Sequence, residues 1–331
     1  MKVLVIGKPV YNVILSLQNF VSEGAKYNLK EKLEMGGGAV YCAATLLNKW
    51  NTPVYFNGVV GSDAYGNKIK SELEGVGVNT KYIEINYEHP TGFNYILINN
   101  QNGSSTQIIV DNPDINLTKY KYDFIPDYII MDGTDPAGSI AALNNFPKAI
   151  SILFANKVSE TVYNISKRCS YVVANMGYAK ALAKMDLEFN KTKSLVNFMQ
   201  KIKDLNKAQY IITLKEKGVL YVSDNKVKML PAIKLEKIID DTNSGNMFFG
   251  AFCFGLINNY GIDLAVKIAN ITGGLAMTKL GCIDAVPNLS EVLRLAGIKE
   301  ENIDNNQDRP EETAPEIIET NKENPAPNVS Q

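Results

Sequence analysis

Short apolar runs rich in β-branched residues alternate with segments of helix length along this chain, and this alternation constrains the fold more than any other feature. Six runs stand out: Val3–Ile6, Val54–Val60, Tyr128–Met131, Ala149–Phe154, Tyr171–Ala174 and Tyr210–Leu214. Continuous apolar runs of this length are typical of strands that are buried on both faces, with the intervening helices as cover. The sequence therefore predicts an α/β fold with a parallel sheet covered by helices.

A second set of runs alternates polar and apolar residues, the pattern of a strand with one exposed face. These runs are Tyr11–Leu17, Lys30–Glu34 and Phe93–Asn99. Because they come from separated stretches of the first third of the chain, we expect a small sheet inserted in one large α/β domain rather than two sequential domains. We place that domain at residues 1–300, with the small sheet formed by segments near 9–35 and 90–110.

Charge is distributed unevenly along the chain. The 331 residues carry a net charge of −1, but residues 301–331 hold eight acidic and two basic side chains and therefore −6, which leaves +5 on residues 1–300. The last segment has few aliphatic residues, so burial cannot offset the entropy of ordering it, and we expect residues 301–331 to be a disordered acidic tail. The lysines of the remainder are scattered between acids, which does not indicate a nucleic-acid partner.

Cysteine usage and the first residues bear on the compartment. Cys42, Cys169, Cys253 and Cys282 lie far apart among apolar or small neighbours, with no CxxC or Cys/His pair. This is typical of reduced, buried thiols and predicts neither disulfides nor a metal site. The apolar run at Val3–Ile6 is too short for a secretion signal, and no apolar stretch has the length of a membrane span. We expect a cytoplasmic protein without a membrane partner.

A glycine-rich turn precedes the first segment with a helix pattern. Gly36, Gly37 and Gly38 lead into a helix pattern that ends near Trp50. Glycines let a backbone approach a ligand closely, and the free amides at a helix N-terminus favour an anion or a hydroxyl-rich partner. A tight turn that merely packs the helix on the sheet is the alternative.

A second turn has a similar arrangement. Asn243, Ser244 and Gly245 stand directly before Met247–Ile257, which is apolar nearly all round and therefore predicts a buried helix. Unpaired amides at the positive end of such a helix would form an anion hole for phosphate. An ordinary N-cap by Asn243 or Ser244 is the alternative.

The order and spacing of several motifs are more specific than any one of them. The motifs are Gly36-Gly37, Val60-Gly61-Ser62-Asp63-Ala64-Tyr65-Gly66, Thr91-Gly92, Thr213-Leu214 with Lys217-Gly218, Asp241-Thr242 and Gly250-Ala251-Phe252. On these motifs the chain resembles the PfkB/ribokinase family of carbohydrate and nucleoside kinases over residues 1–295. The resemblance implies a ribokinase-like α/β fold, with a doubly wound central sheet, helices on both of its faces and a small β-sheet lid.

The resemblance also implies where ligands bind. Members of this family hold a sugar or nucleoside between the lid and the body, and ATP near the C-terminal motifs, so an active protein would use MgATP. The implied positions are Asn12, Gly36, Gly37 and Tyr41 in the substrate pocket, Asn243, Ser244 and Gly245 in the anion hole, and Thr213, Lys215, Gly218 and Asn270 on the nucleotide side.

The catalytic signature of the family ends in an Asp that deprotonates the acceptor hydroxyl, and here the signature is one residue short. Pairing Gly250-Ala251-Phe252 with the family's continuation places Asn246 at this Asp, whereas an ungapped pairing places Met247 there. Neither side chain can take a proton near pH 7. A positioned general base contributes roughly 10²–10⁴ in rate, so the sequence predicts impaired catalysis.

Four further positions depart from the family in the same direction. Asn12 stands where an Asp usually binds substrate hydroxyls, and Tyr41 replaces a substrate-binding Asn with a ring that would occupy sugar space. Tyr178 replaces a Glu that helps to organise magnesium and phosphate, and Lys215 replaces a glycine near the nucleotide. Together these changes indicate a relaxed demand for catalysis.

The sequence leaves three functions open. The first is a carbohydrate kinase homologue that has lost catalysis, a pseudokinase, and acts by binding a small ligand or another protein. The second is an active ATP-dependent phosphotransferase for a sugar, a nucleoside or a related small alcohol. The third is a structural subunit of an assembly, for which a homodimer through the lid is one form.

Overall fold

The computed structural model describes residues 1–110 and 114–298. The acidic tail expected at residues 301–331 lies outside the described residues. The strands of the described part are β1 (Val3–Ile6), β2 (Val10–Leu17), β3 (Leu33–Gly37), β4 (Val54–Asn57), β5 (Val59–Gly61), β6 (Glu84–Asn86), β7 (Phe93–Asn99), β8 (Ser105–Val110), β9 (Tyr128–Met131), β10 (Ile150–Ala155), β11 (Tyr171–Asn175), β12 (Gln209–Thr213), β13 (Val219–Ser223) and β14 (Lys226–Leu230). The helices are α1 (Ala39–Lys49), α2 (Ala64–Gly75), α3 (Pro136–Asn145), α4 (Glu160–Ser166), α5 (Met176–Ala183), α6 (Thr192–Leu205), α7 (Ser244–Ile257), α8 (Ile262–Ala276) and α9 (Leu289–Ala296).

Eight strands form the central sheet in the order β14-β13-β12-β11-β10-β9-β1-β4. The six strands from β12 to β4 are parallel, and β13 and β14 extend the sheet as antiparallel strands at one edge. The prediction of an α/β fold with a central sheet is confirmed. The antiparallel edge follows from the short connections after β12 and β13, which are too brief for the crossover that a parallel strand needs.

Both faces of the central sheet are buried, because alternate side chains of each strand enter different clusters. Val3 and Val5 of β1 pack in the cluster that contains α1, α7 and α8, whereas Leu4 and Ile6 pack in the cluster that contains α4, α5 and α6. This explains why the strand sequences are continuously apolar. Helices therefore cover both faces, as expected.

A smaller sheet has the order β3-β2-β7-β8 and draws its strands from residues 10–37 and 93–110. The strand expected at Lys30–Glu34 is present, but its predicted bounds are wrong, because β3 runs from Leu33 to Gly37. Gly36 and Gly37 pair with Tyr11 and Val10 of β2, so the glycines belong to the strand as well as to the turn before α1. β8 has exposed side chains on both of its faces and therefore lacks the alternation on which the prediction depended.

The run Val54–Val60, expected as one strand, is divided between two sheets. β4 pairs with β1 in the central sheet, and β5 pairs with β6 in a separate two-stranded sheet. Gly58 lies between them, and a Cβ at this position would lie 2.7 Å from the Gly7 carbonyl oxygen. The close approach of two backbones at this glycine redirects the chain, which an apolar run does not reveal.

In the described part of the chain, the helices lack the length and apolarity needed to cross a membrane.

Candidate functional site

The N-terminus of α7 is the centre of the candidate site. Asn243 occupies the N-cap position, but its side chain makes no capping hydrogen bond. Its Oδ1 instead accepts hydrogen bonds from Asn246 Nδ2 at 3.2 Å and from the Cys42 thiol at 3.6 Å. Its Nδ2 is buried and has no hydrogen-bond partner within the described residues. An unpaired donor beside the positive end of a 14-residue helix suits an anion.

Asn246 lies in the first turn of α7 and is partly exposed. Its Nδ2 points at Asn243 and lies 3.9 Å from Cys42 Sγ. The amide can donate or accept a hydrogen bond but cannot remove a proton from a hydroxyl near neutral pH. Phosphoryl transfer that needs a general base at this position is therefore not supported by the side chain present.

Gly36 and Tyr41 lie together on the α1 side of the site. The Tyr41 ring is fully buried, and a Cβ on Gly36 would lie 2.5 Å from its Cζ. The Tyr41 hydroxyl donates to Glu72 Oε2 at 2.8 Å, and the Gly36 N–H donates to the same oxygen at 2.7 Å. Burial, together with nearby Cys282 and the Glu72 carboxylate, raises the pKa of Tyr41. The ring is therefore fixed between the glycine strand and α2.

Asn12 and Gly37 form a second contact on this side. Asn12 is buried in β2, and a Cβ on Gly37 would lie 2.8 Å from its Cγ. Asn94 Nδ2 in β7 donates to Asn12 Oδ1 at 3.2 Å, while Asn94 Oδ1 is buried without a partner within the described residues. Asn12, at the position where the resemblance implies an Asp that binds substrate hydroxyls, thus has a hydrogen-bond partner in its own sheet.

Gly218 and Asn270 meet at one segment on the opposite side. Asn270 Nδ2 donates to the Pro231 carbonyl oxygen at 2.8 Å. Gly218 has φ +94°, and a Cβ there would lie 2.6 Å from the Ala232 nitrogen. The folding of residues 230–232 therefore brings together two residues far apart in sequence.

Thr213 and Lys215 lie where β12 ends. Thr213 Oγ1 donates to the Ala174 carbonyl oxygen of β11 at 3.3 Å. Lys215 begins a short 3-10 turn, is exposed and has φ +55°, a left-handed conformation that favours glycine. The backbone of Lys215 thus has a conformation suited to glycine, the residue that the resemblance implies at this position.

α7 connects the two sides. Cys42 of α1 touches Asn243 and Asn246, and Gly273 of α8 packs on the other flank, where a Cβ would lie 2.9 Å from the Ser244 carbonyl oxygen. The predicted anion-hole residues thus lie between the substrate-side residues on α1 and the α8 helix that carries Asn270. The role of each of these residues stays a prediction.

The loop before α7 holds the small sheet. Asp240 is buried and accepts N–H groups of Thr242 at 2.8 Å and Gly281 at 3.1 Å, and burial raises its pKa. Asp241 accepts a hydrogen bond from Ser105 Oγ at 2.6 Å, and its N–H donates to the Gly103 carbonyl oxygen at 3.0 Å. The β7–β8 hairpin is therefore fastened to the segment that positions the α7 N-terminus.

Asn175 and Tyr178, in the motif that the resemblance implies lies near magnesium, make contacts within their own part of the fold. Asn175 caps α5 by accepting the Tyr178 N–H at 2.8 Å. Tyr178 is buried, with its hydroxyl 3.4 Å from Ser166 Oγ. Among the residues that the structure describes, no three His, Cys, Asp or Glu side chains are grouped to hold a metal ion.

Sequence reasoning missed one carboxylate at the carboxyl edge of the central sheet. Asp132 directly follows β9 and is buried, with Oδ1 accepting hydrogen bonds from the Thr134 N–H at 3.0 Å and from its hydroxyl. It also accepts the Val40 N–H in the first turn of α1, and burial raises its pKa to about 6. An Asp immediately after a buried parallel strand is the signal that would have identified it.

The chain is similar in sequence or in fold to several known proteins. It is 24% identical over 274 residues to the ribokinase of Bacillus subtilis, covering 78% of this chain and 87% of that protein. Its fold is similar to Arabidopsis thaliana ribokinase complexed with ribose and ATP, with a TM-score of 0.72, 18% identity and coverage of 90% and 99%. It is also similar to the nucleoside kinase of Methanocaldococcus jannaschii, with a TM-score of 0.72, 15% identity and coverage of 90% and 98%.

These similarities extend over nearly the whole described chain, including both sides of the candidate site. The model of the pfkB family of carbohydrate kinases matches residues 1–289, which contain every site residue described above. The chain therefore belongs to the pfkB carbohydrate kinase family.

Proposed function

We propose that this protein is a ribokinase-like pseudokinase, which binds a small ligand or another protein and transfers phosphate poorly or not at all. The observation that carries the proposal is Asn246: an amide stands at the predicted place of the catalytic Asp and is hydrogen-bonded to Asn243. Removal of the general base alone costs roughly 10²–10⁴ in rate.

The substrate side supports the same proposal. Tyr41 is fully buried and bonded to Glu72, and Asn12 is bonded to Asn94, so both polar groups already have protein partners. A sugar would have to replace these hydrogen bonds rather than satisfy free groups, which reduces the net gain from binding. We therefore expect sugars of the kind that ribokinases use to bind weakly.

The α7 N-terminus fits a phosphate better than the substrate side fits a sugar. The buried, unpartnered Nδ2 of Asn243 and the first amides of α7, at Ser244 and Gly245, would hold a phosphate of ATP. Bound MgATP would supply the phosphoryl group. The residues of this chain would bind and orient it, while Asn246 leaves an acceptor hydroxyl protonated.

A sensitive ATP-turnover assay with a panel of sugars and nucleosides tests the proposal on the wild type, Asn246→Ala and Asn246→Asp. We expect turnover in the wild type to equal that of Asn246→Ala, and Asn246→Asp to recover little because Tyr41 and Asn12 are unchanged. Robust wild-type turnover that collapses in Asn246→Ala would refute the proposal. Binding is followed separately, since MgATP that binds the folded state raises Tm.

Asp132 favours the active-kinase alternative. It is a buried carboxylate at the carboxyl edge of the sheet, held beside the first turn of α1, with a pKa raised to about 6. A carboxylate with a pKa near neutrality is suited to general base catalysis. If the wild type does turn over, loss of turnover in Asp132→Asn with unchanged MgATP binding would assign the base to Asp132.

The exposed edge of the small sheet favours a protein partner, and we propose a homodimer through this lid. Ile108, Ile109 and Val110 of β8 are 52%, 64% and 46% exposed, and β8 is an edge strand without a charged residue. Uncharged apolar edges normally require cover. Light scattering should show a dimer that Ile109→Lys dissociates, whereas Thr106→Lys on the same exposed strand serves as the control. A monomeric wild type would refute the dimer.

The cytoplasmic location expected from the sequence stays a prediction.

A further inference from the structure

An apolar groove lies at the amino edge of the central sheet, at the end of the molecule away from the α7 N-terminus. The groove has a volume of about 970 Å³ and lies where β9 and β10 begin. Its apolar lining includes Ile125, Pro126, Phe146, Pro147, Ala149 and Ile150. The side chain of Ile125 is 78% exposed and that of Ile150 is 37% exposed. An apolar patch that lies open on a folded surface normally marks a place where another segment binds.

Positive charge borders this groove. Lys148 is exposed and is one of the lining residues. The lining carboxylate of Asp127 accepts the Lys2 N–H at 2.6 Å, and Lys2 Nζ lies 5.5 Å from the centroid of the Phe124 ring. Neither lysine is ion-paired with another residue that the structure describes. The groove therefore suits a segment that combines aliphatic with acidic side chains.

Such a segment exists in this chain beyond the described residues. Residues 301–331 hold eight acidic and two basic side chains, and Ile317 and Ile318 are the only two large aliphatic residues that adjoin each other there. Glu316 and Glu319 flank this pair directly. Low hydrophobicity and high charge prevent a chain from forming its own core, but a short apolar stretch within it can bind a surface. The segment 315–319 therefore has the chemistry that the groove requires.

The last described helix, α9, begins at the same end of the molecule as the groove. Trp50 Nε1 donates to the Pro287 carbonyl oxygen at 3.0 Å, directly before the N-cap of α9. The Trp50 ring packs edge-on against Phe254 of α7, with the ring centroids 4.9 Å apart. Tyr128, which lines the groove, donates from its hydroxyl to the Leu256 carbonyl oxygen of α7 at 3.1 Å. The C-terminal turn of α7 therefore connects the groove with the start of α9.

The chain that follows α9 is long enough to reach the groove. Ile298, two residues after α9, is the last described residue, and 18 residues separate it from Ile317. A chain of this length spans at most about 60 Å, against about 50 Å for the diameter of a 300-residue domain. As a flexible coil it has a root-mean-square span of about 25 Å. Covalent attachment then gives an effective concentration on the order of millimolar, at which weak contacts suffice for docking.

We propose that the segment 315–319 docks in the amino-edge groove of its own chain, with its two isoleucines on the apolar lining and its glutamates beside Lys148. Burial of the isoleucines supplies most of the free energy of docking, since an exposed ion pair contributes little. The inference concerns the edge of the sheet opposite the candidate site, and it does not rest on the proposed function.

Carbodiimide cross-linking of the full-length protein tests the docking, because the reagent joins a lysine to a glutamate in direct contact. We expect an amide between Lys148 and Glu316 or Glu319 to be the most abundant cross-link of residues 301–331 to the rest of the chain. A mixture of unlabelled and isotope-labelled protein identifies the chain of origin, since a bridge within one chain contains one isotope only. Cross-links spread over many lysines, none at Lys148, or bridges only between two copies would overturn the proposal.

Serine variants of the segment separate apolar docking from attraction by charge. Ile317→Ser/Ile318→Ser keeps every charge and should lower the yield of the Lys148 cross-link by at least about threefold, because the effective concentration no longer compensates for the lost contact. The matched control Ala326→Ser/Val329→Ser changes the same number of apolar residues in the same acidic region and should keep the wild-type yield. An equal yield in Ile317→Ser/Ile318→Ser and the wild type would show attraction by charge alone and overturn the docking.

Hydrogen exchange gives a second readout that needs no cross-linker. Amides of residues 315–319 should exchange at least about threefold more slowly in the wild type than in Ile125→Ser, which makes the groove more polar. Val158→Ser is the matched control, at a valine that is 63% exposed outside the groove, and it should exchange as the wild type does. Both variants change exposed side chains, so an unchanged Tm verifies folding. Equal exchange of residues 315–319 in the wild type and Ile125→Ser would overturn the assignment of the groove.

Discussion

The predicted substrate side and the predicted nucleotide side of the candidate site differ in the surroundings of the residues at which the resemblance implies departures from the family. On the substrate side, Tyr41 and Asn12 are buried and hydrogen-bonded to Glu72 and Asn94, residues from other elements. On the nucleotide side, Lys215 is exposed and retains a left-handed backbone. The predicted departures are thus packed and hydrogen-bonded on the first side, whereas Lys215 on the second side has a strained backbone conformation. Changes on the substrate side should therefore cost stability, whereas Lys215 should be open to improvement.

Gly218 is an exception to this contrast, because it lies on the predicted nucleotide side and yet its backbone is tightly enclosed. Gly218 is buried with φ +94°, and a Cβ would clash with the Leu230 carbonyl oxygen and lie 2.6 Å from the Ala232 nitrogen. We expect Gly218→Ala to lower the free energy of unfolding by at least about 4 kcal/mol, since both the φ angle and backbone atoms oppose it. Urea unfolding measures this.

Gly75→Ala is the matched control for Gly218→Ala. Gly75 has open space around its Cβ position at the end of α2 and no positive φ. Its replacement should change the free energy of unfolding by no more than about 1 kcal/mol. Equal effects of the two substitutions would contradict the rigid turn at Gly218.

On the predicted substrate side, the close approach of Gly36 to the Tyr41 ring should also limit substitution. Gly36→Ala would place a methyl group 2.5 Å from Cζ of the buried Tyr41 ring, and we expect a cost of about 3 kcal/mol in the free energy of unfolding. In a Tyr41→Leu background the same change should cost less than about 1 kcal/mol, because the ring is gone. A double-mutant cycle by urea unfolding measures the coupling, and additive effects would show that the ring does not occupy this space.

Asp132 should make the substrate side sensitive to pH. Burial raises its pKa from 3.8 to about 6, so the folded state prefers the protonated form. Its contribution to stability is full below pH 3.8 and declines as pH rises through about 6. Asp132→Asn removes this titration, so stability of the variant relative to the wild type should rise by about 2 kcal/mol between pH 4 and 7.

Urea unfolding of both proteins at pH 4, 5, 6 and 7 tests the titration of Asp132. The comparison uses the difference between the two proteins, because other carboxylates titrate equally in both. A difference that stays constant across this range would mean that folding does not raise the pKa of Asp132.

Strands that are buried on both faces were predictable, since their apolar runs are continuous. β1 and β9 begin and end at the predicted residues, Val3–Ile6 and Tyr128–Met131. β8 was not delimited, because it is exposed on both faces, and the break between β4 and β5 depends on a backbone contact between Gly58 and Gly7. Local sequence patterns thus predict strands whose two faces are both buried. They do not predict strand ends that depend on a contact with a residue distant in the sequence.

The same limit applies to the candidate site. The turn before α7 was recognisable from its polar residues and the apolar helix that follows, as the start of α7 at Ser244 confirms. The partners of the site residues were not recognisable, since Glu72 and Asn94 come from other elements and carry no motif. The sequence therefore indicated which residues differ from those that the resemblance implies, whereas the structure shows which side chains these residues contact.

The smallest expected effect is a gain in stability on the nucleotide side. Lys215 has φ +55°, which strains a residue with a Cβ, while its exposed side chain packs little. We expect Lys215→Gly to raise the free energy of unfolding by about 0.5–1 kcal/mol, the relief of strain less the entropy of the more flexible unfolded chain. Glu216→Gly, at an exposed neighbour without positive φ, should instead lower it by a similar amount. If both glycine variants destabilise the protein equally in urea unfolding, the turn stores no strain, and the two sides of the site would not differ in the way proposed.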